Sequence, residues 1–404
     1  MAPSTKGNSA APAGKQSAGK QRTKTPLQSQ TPAASVGSIS RKPAASAGAV
    51  KKHLLKQEHA AEAPRKLRIG SHCSGWLSES QALENLGIPH NIAFACDSNP
   101  AVKKLIARNF NTIFWQDDML DIDAKEFPQN IDLYSCGFPC QPWSSAGLRK
   151  GLHDDRSLPI HAMLEYIKTA TPKMFILENV AAFARHKKGA DSTPLEATVR
   201  WLRSLGVYTV FHKLLNTADF GIPQDRKRIY IVGIQTRLIR LPFQWPDRVP
   251  AAPLSKFWDR NAAGRIAKVP DIPERILRNK TSWKNLSQGW KKLVAKGLMP
   301  EDTEAVIDIG AGKGYGSVKV GQCPTLTNGR ASSFGYFSVK NKRQLSLAEM
   351  MRLQGADPKR INMSMISKTQ AGAIIGNAMS VNVMEGVIVS IMQAVGGPNA
   401  LPFK

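Results

Sequence analysis

Ile131-Asp132-Leu133-Tyr134-Ser135-Cys136-Gly137-Phe138-Pro139-Cys140-Gln141-Pro142-Trp143-Ser144 begins as an apolar, β-prone run and breaks at a Gly/Pro turn. The break puts a thiol, Cys140, at the exposed mouth of an expected strand. A structural cysteine sits inside a strand and packs as a small hydrophobe. One held on a rigid strand-to-loop turn is placed as a nucleophile. Further along, Lys173-Met174-Phe175-Ile176-Leu177 reads as a second apolar strand ending in Glu178-Asn179-Val180. If the two strands are neighbours, a carboxylate lies beside the thiol.

Working outward, a strand–helix alternation starts at Lys66. Leu67 to Gly70 reads as a strand; Ser78 with Gln81 three residues on is a capping box for a helix ending at Gly87. Ile92 to Cys96 is the next strand, and Asn99-Pro100 caps the helix after it. Strands are expected near Ile113, at Leu133, Phe175 and Val210, and from Arg228 to Ile234. This alternation predicts a doubly wound, mostly parallel α/β sheet. Residues 236–340 carry many Pro, Trp, Lys and Arg without periodicity, and a smaller irregular recognition region is expected there. Helical patterns return from Leu345 to Leu353 and from Thr369, and the last, Asn377 to Val395, is apolar enough to pack on the sheet. The expected plan is a disordered basic tail (1–65), a catalytic and cofactor-binding domain (66–235), a target-recognition region (236–340) and a segment returning to the catalytic domain (341–404).

The chain has 56 basic and 30 acidic residues, a net charge of +26. Such a chain is drawn to polyanions, with strong salt dependence. Up to Lys66 there are twelve basic and two acidic residues, the first acid being Glu58, and the segment is too polar to offset its chain entropy. The five cysteines (Cys73, Cys96, Cys136, Cys140, Cys323) are scattered without a CxxC pair, so neither structural zinc nor a disulfide framework is expected, and a reducing compartment fits. No apolar run reaches the roughly 20 residues of a membrane span, and no apolar leader follows Met1. The expected protein is a monomer without a membrane partner. The nucleus is the expected location; the alternatives are an organelle reached by a transit peptide and the cytoplasm of a prokaryote-like host.

In order along the chain stand Pro139-Cys140-Gln141, Glu178-Asn179-Val180, Gln224-Asp225-Arg226-Lys227-Arg228, Arg352-Leu353-Gln354-Gly355 after Glu349, and Gly376-Asn377-Ala378-Met379-Ser380-Val381-Asn382. This set resembles the signature of the cytosine-C5 DNA methyltransferases over roughly Leu67–Ile234 and Leu345–Val395. The resemblance implies S-adenosyl-L-methionine as cofactor and double-stranded DNA as substrate. Cytosine C5 is a poor nucleophile, and addition of a thiolate to C6 makes an enamine that can attack a methyl group. By the resemblance, Cys140 supplies the thiolate, which nearby arginines or helix N-termini must favour. Glu178 engages N3, and burial keeps it protonated. Asn179, Gln224, Arg226 and Arg228 complete the catalytic set, the two arginines sharing one strand face. The target base must be flipped out of the duplex.

Ligands of open α/β sheets bind beyond the carboxyl ends of the strands. The turn Gly70-Ser71-His72-Cys73-Ser74-Gly75-Trp76 is the expected cofactor turn, with contacts from Ser74, Gly75 and Trp76. Asp97, followed by Ser98, is spaced to take the ribose hydroxyls. Asp118 and Met119 lie by the adenine, and Pro139, Asn377 and Ser380 complete the pocket. The family's turn usually reads Phe-x-Gly-x-Gly-Gly, with Glu where Asp97 stands; this chain departs at both places. It departs again at Asp154-Asp155-Arg156-Ser157-Leu158, where the family usually has Asp-x-Arg-Gly-x-Leu-Phe. A rival turn, Val306 to Tyr315, has no helical pattern after it and reads as a β-turn of the recognition region. On the DNA side the expected contacts are Ser144, Arg149 and Lys150 on a closing loop and Thr325-Leu326, which resembles a Thr-Leu pair of the family's recognition domain. Arg260, Arg265, Arg275, Arg278, Lys280 and the Thr325-Leu326-Thr327-Asn328-Gly329-Arg330 turn are further base-edge candidates. Three other readings stand beside this one. An RNA cytosine-C5 methyltransferase would share the fold, and an inactive chromatin-binding relative would keep only the basic surfaces. A thiol hydrolase needs a histidine partner that no His in the sequence is marked to supply.

Overall fold

The computed structural model describes residues 65–139, 158–186, 191–268, 271–312 and 316–402. Residues 1–64 of the basic tail and the expected site residues Cys140, Ser144, Arg149 and Lys150 lie outside the described residues.

The catalytic body is one seven-stranded sheet. Its strands are β1 (Leu67–His72), β2 (His90–Cys96), β3 (Thr112–Gln116), β4 (Leu133–Cys136), β5 (Met174–Val180), β6 (Tyr208–Asn216) and, after the two-residue β7 (Gln224–Asp225), β8 (Lys227–Gln235). The order is β3-β2-β1-β4-β5-β8-β6. Neighbours from β3 to β5 run parallel, and β8 is antiparallel to both β5 and β6. The helices between these strands are α1 (Ser78–Leu86), α2 (Pro100–Asn109), α3 (Leu158–Ala170) and α4 (Pro194–Ser204). This is the doubly wound, mostly parallel sheet expected from the alternation.

Period-two alternation sorts the sheet's side chains between two cores. Leu67, Ile69, Leu133, Met174 and Ile176 face one way, toward α1 and α2. Tyr134, Cys136, Phe175 and Leu177 face the other, toward α3 and α4. Gly70 is needed where β1 breaks register, because a Cβ there would sit 2.1 Å from the Phe94 ring. At the amino ends of the strands, buried Asp132 takes Arg65 at 2.6 Å, Lys173 at 2.8 Å and the backbone N–H of Arg68 at 2.9 Å.

Helix caps follow the sequence with one exception. Asn99 accepts the N–H of Ala101 at 3.0 Å, and Gly87 closes α1 at φ 71°. The expected capping box at Ser78 is absent. Leu77, in left-handed conformation, takes the cap position, and Ser78 instead donates to the Met379 carbonyl at 2.9 Å. Gln81 donates to the Trp76 carbonyl at 2.7 Å. A tertiary partner, the Met379 carbonyl, takes Ser78 from the cap, and the nearby Trp76 carbonyl takes Gln81.

The expected irregular region contains regular structure. It holds the helices α5 (Glu274–Arg278) and α6 (Lys280–Val294), then β9 (Ala305–Asp308), β10 (Val318–Val320), β11 (Cys323–Pro324), the short α7 (Asn328–Ser332), β12 (Tyr336–Ser338) and β13 (Arg343–Gln344). A four-stranded antiparallel sheet, β10-β9-β12-β13, packs α6 across Ile307 and Phe337. Its strands are two to four residues long, too short to show alternation in the sequence. The rival Gly-rich turn follows β9, and Gly310 lies against Gly335 rather than at a helix N-terminus. Parallel pairing of β11 with β7 ties this sheet to the catalytic body.

The chain then returns through α8 (Leu347–Leu353), α9 (Lys368–Asn377) and α10 (Val381–Val395). Lys368–Val395 is, by length and composition, apolar enough to cross a membrane, which corrects the expectation that no such stretch exists. Yet 72% of its most apolar stretch is buried within the protein. Ala378-Met379-Ser380 splits it into two helices, and α10 packs on α1. Its apolarity serves the core.

Candidate active site

The carboxyl ends of β4 and β5 meet as the sequence anticipates. β4 runs into Gly137-Phe138-Pro139, the backbone that leads to Cys140. A Cβ on Gly137 would lie 3.8 Å from Glu178 Oε2 and 3.8 Å from the Met379 sulfur, so this backbone passes directly over the Glu178 carboxyl. Asn179 holds it there by donating to the Phe138 carbonyl at 3.1 Å, and Phe138 packs edge-on against Phe183. Glu178 is 7% exposed. Burial raises its pKa, while the charges of Arg228 and then Arg226 oppose the rise. Arg228 Nε lies 3.1 Å from Glu178 Oε1.

Arg226 does not face the acid as Arg228 does. Its guanidinium is buried and donates to the carbonyls of Leu326 at 2.6 Å, Gly376 at 3.3 Å and Ala378 at 2.7 Å. Burial, then repulsion from Arg228, pulls its pKa down to about 10. The expected shared face is lost because Arg226 lies between two strands, β7 and β8, and not within one. Gln224 also turns away from the site. It donates to the Leu353 carbonyl and to Gln354 Oε1, both at 2.7 Å, and accepts the N–H of Leu326 at 2.9 Å. Gln354 is the centre of this knot and is 0% exposed. Replacing Arg226 with Met strands three buried carbonyls. It should lower the unfolding free energy by on the order of 3–5 kcal/mol, read by denaturant titration.

The knot also removes several expected ligand contacts. Ser380 is buried, bonded to Thr217 at 2.7 Å and donating to Gln354 at 3.2 Å, so its hydroxyl is not offered to a cofactor. Leu326 is buried at 0% exposure, and Thr325 gives its hydroxyl to the Asp225 carbonyl. Neither presents a side-chain donor to DNA. Beside them, a cavity of about 330 Å³ is lined by Asp225, Asp308, Lys319, Thr327 and Arg330. Arg330 is held by Asp308 at 2.6 Å and Lys319 by Asp225 at 2.7 Å. Arg330 closes the Thr325–Arg330 turn expected at the base edges; Lys319 carries no such mark, because nothing local distinguishes a held cation from a solvated one.

At the cofactor turn, Cys73, Gly75 and Leu77 all take positive φ, at 50°, 53° and 55°. Ser74 stitches the turn to β2: its hydroxyl accepts the Cys96 N–H at 2.9 Å and faces the Ser71 and Cys96 carbonyls. Trp76 is fully buried and donates to Ser78 at 2.8 Å. Ser74 and Trp76 are therefore packing residues, against expectation. Asp97 does close β2, accepting from Gly75 at 2.9 Å and Asn99 at 3.0 Å. Burial raises its pKa, those two bonds lower it, and Asp118 raises it again. The two acids thus stand close together at the ends of β2 and β3, with exposed Ser98 and buried Met119 beside them. Asn377 is exposed, and Pro139 half-buried. Paired acceptors at strand ends, over a turn whose two large side chains, His72 and Trp76, are buried away from the surface, fit a ribose and an adenine amino group.

The model of the C-5 cytosine-specific DNA methylase family matches residues 67–393. The chain belongs to this family. It is 34% identical over 270 residues to the Type II methyltransferase M.NgoBI of Neisseria gonorrhoeae, covering 66% of this chain and 76% of that protein. It is 32% identical over 280 residues to M.HaeII of Haemophilus aegyptius, covering 69% and 78%. Among solved structures, the Entamoeba histolytica methyltransferase EhMeth matches with a TM-score of 0.55 at 17% identity, over 81% of this chain and 98% of that one. The S. pombe Dnmt2 methyltransferase matches at 0.54 and 18%, over 81% and 99%. Those two likenesses speak to the fold alone. The family takes its methyl group from S-adenosyl-L-methionine, and in this cytosine methylase Asp97, Asp118 and Met119 stand together at the carboxyl ends of β2 and β3.

Proposed function

We propose that the chain methylates C5 of cytosine in double-stranded DNA, with Cys140 as nucleophile and Glu178 as the acid at N3. The observation that carries this reading is the approach of the backbone leading to Cys140 onto a buried carboxyl whose pKa burial has raised. Bound S-adenosyl-L-methionine supplies an electrophilic methyl group. Asn179 fixes the entry to the nucleophile's loop through the Phe138 carbonyl. Burial favours the protonated Glu178 carboxyl, which can present its proton to N3, drawing electrons from the ring as the thiolate adds to C6. Arg228 sits at the same carboxyl and limits how far the pKa rises. Arg330 and Lys319, each held by a carboxylate, are the cations of the recognition region best fixed to meet phosphates or a guanine edge.

A net charge of +26 supports a polyanionic substrate without choosing between DNA and RNA. The two curated relatives named above come from bacteria, and they lend the nuclear expectation no support. The test is transfer of labelled methyl to duplex DNA and to tRNA in the same tube. Label should appear in DNA and resist competition by tRNA; label confined to RNA would overturn the DNA reading.

A further inference from the structure

The helices of the recognition region carry charge that their own fold does not use. From Glu274 to Lys296 the chain has seven basic residues and one acid, Glu274 itself. That acid pairs with Arg278. Among the described residues no ion pair reaches Arg275, Lys280, Lys284 or Lys291, and all four are exposed. Exposed cations elsewhere do find acids: Lys103 meets Asp117, Lys168 meets Glu165 and Arg360 meets Glu84. A helix that is merely solvated interleaves Glu with Lys four residues apart; α6 contains no acid at all. Lys291 and Lys292, in its last turn, suit the helix dipole. Lys280, at its first position, opposes the dipole, and Lys284 one turn on repels Lys280. These two charges weaken the helix that carries them, so their use lies outside it.

Their direction is set by helical spacing and by the sheet beneath. Asn285, Leu286, Gly289 and Leu293 form the buried side of α6. At 3.6 residues per turn, Lys280, Lys284 and Lys291 fall on one stripe opposite that side. The stripe is about 17 Å long, or about five base-pair steps of duplex. Under α6, Ile307 and its cross-strand partner Phe337 point toward the helix, into the cluster that holds Leu286 and Leu293. The next pair, Asp308 and Tyr336, points the other way. There Asp308 holds Arg330, and Tyr336 donates to the Thr325 carbonyl at 2.7 Å, beside the pairing of β11 with β7. The small sheet therefore turns Arg330 and the catalytic body to one side and the lysine stripe to the other.

We infer that the Lys280–Lys284–Lys291 stripe is an exosite for the phosphate backbone of a second stretch of duplex DNA, separate from the stretch that delivers the cytosine. This rests on the reading of DNA as the substrate. The partner follows from charge and from length. Three ammonium groups on an exposed stripe hold phosphates as point charges and read no sequence. A duplex several times its persistence length of about 150 base pairs can curve back to the far side of the small sheet. Held at two places, it has a high effective concentration at each and stays on the protein between turnovers.

The experiment compares wild type with Lys284→Gln/Lys291→Gln on two duplexes cut from one plasmid around a site located by bisulfite sequencing. One is about 20 base pairs long and the other about 1,000, several persistence lengths. On the long duplex at physiological salt the variant's KM should rise about fivefold, and the log–log salt slope of kcat/KM should flatten by about 2, near one for each lost phosphate contact. On the short duplex kcat and KM should stay within about twofold of wild type. Lys284→Arg/Lys291→Arg should match wild type on both. The Gln variant should melt no lower than wild type, since repulsion at Lys280 is relieved. An unchanged KM and slope on the long duplex overturns the exosite and leaves a solvated face. Equal losses on both duplexes overturn it by putting the stripe in the groove of the methylated stretch, and a loss in the Arg variant does so by making the lysines structural. Failure of the wild type to methylate the plasmid sinks the DNA reading, and the exosite with it; methylation without a length effect sinks the exosite alone.

Discussion

Cys140→Ala is expected to reduce methyl transfer to duplex DNA by at least roughly 10⁴-fold, the scale on which removal of a covalent nucleophile is felt. The loss should fall in kcat, with the Kd for S-adenosyl-L-methionine unchanged, because the acids placed to hold the cofactor, Asp97 and Asp118, stand at other strand ends. Without the sulfur, C5 never becomes an enamine carbon, and no other described thiol can replace it. Cys96, Cys136 and Cys323 are buried, and burial raises the pKa of each above the usual thiol range. Cys73, half-buried, lies on the cofactor turn. Mass spectrometry after incubation with a 5-fluorocytosine duplex should place a stable adduct on Cys140 in the wild type. Methyl transfer that persists in the alanine variant, or an adduct on another residue, would remove Cys140 from the mechanism.

Glu178→Gln should lower kcat by about 10²–10³-fold, in the range of general acid–base contributions. Gln preserves the volume and can still donate a hydrogen bond to N3, but it has no proton to give. The variant should also lack the alkaline limb expected of the wild type, since that limb reports deprotonation of the acid. Stability separates this loss from misfolding. A carboxyl whose folded pKa is raised costs the folded state stability as pH climbs from its unfolded value to the folded one, and that cost persists above it. Glu178→Gln escapes the cost, although it gives up the ion pair with Arg228. Denaturant midpoints for the two proteins should therefore differ little at pH 8 while activity differs by orders of magnitude. A variant that retains full kcat would place the N3 acid elsewhere.

The approach of Glu178 to the nucleophile's loop was readable because both residues end apolar strands. A strand's direction and its carboxyl end are written in local sequence, and a parallel sheet gathers such ends on one edge. The acid Asp97 was readable for the same reason, as was the alternation that makes seven strands into one sheet. The sequence also marked Gln224, Arg226, Ser380 and Leu326 as important, but misplaced what they do. Their partners are the carbonyls of Leu353, Gly376 and Ala378 and the side chain of Gln354, more than a hundred residues away from Gln224 and Arg226. No local pattern records a bond across that separation. The short recognition strands were illegible because two to four residues carry no period, so their pairing is decided by the packing of α6 on Ile307.

Local chemistry alone therefore determined the parallel sheet, its functional edge and the two residues expected to meet there, since each depends on propensity and on which end of a strand a side chain occupies. Only the tertiary structure decided which polar side chains face the site and which are used up inside. That choice depends on whether a distant carbonyl or carboxylate has already taken the donor. It separates Arg228 from Arg226.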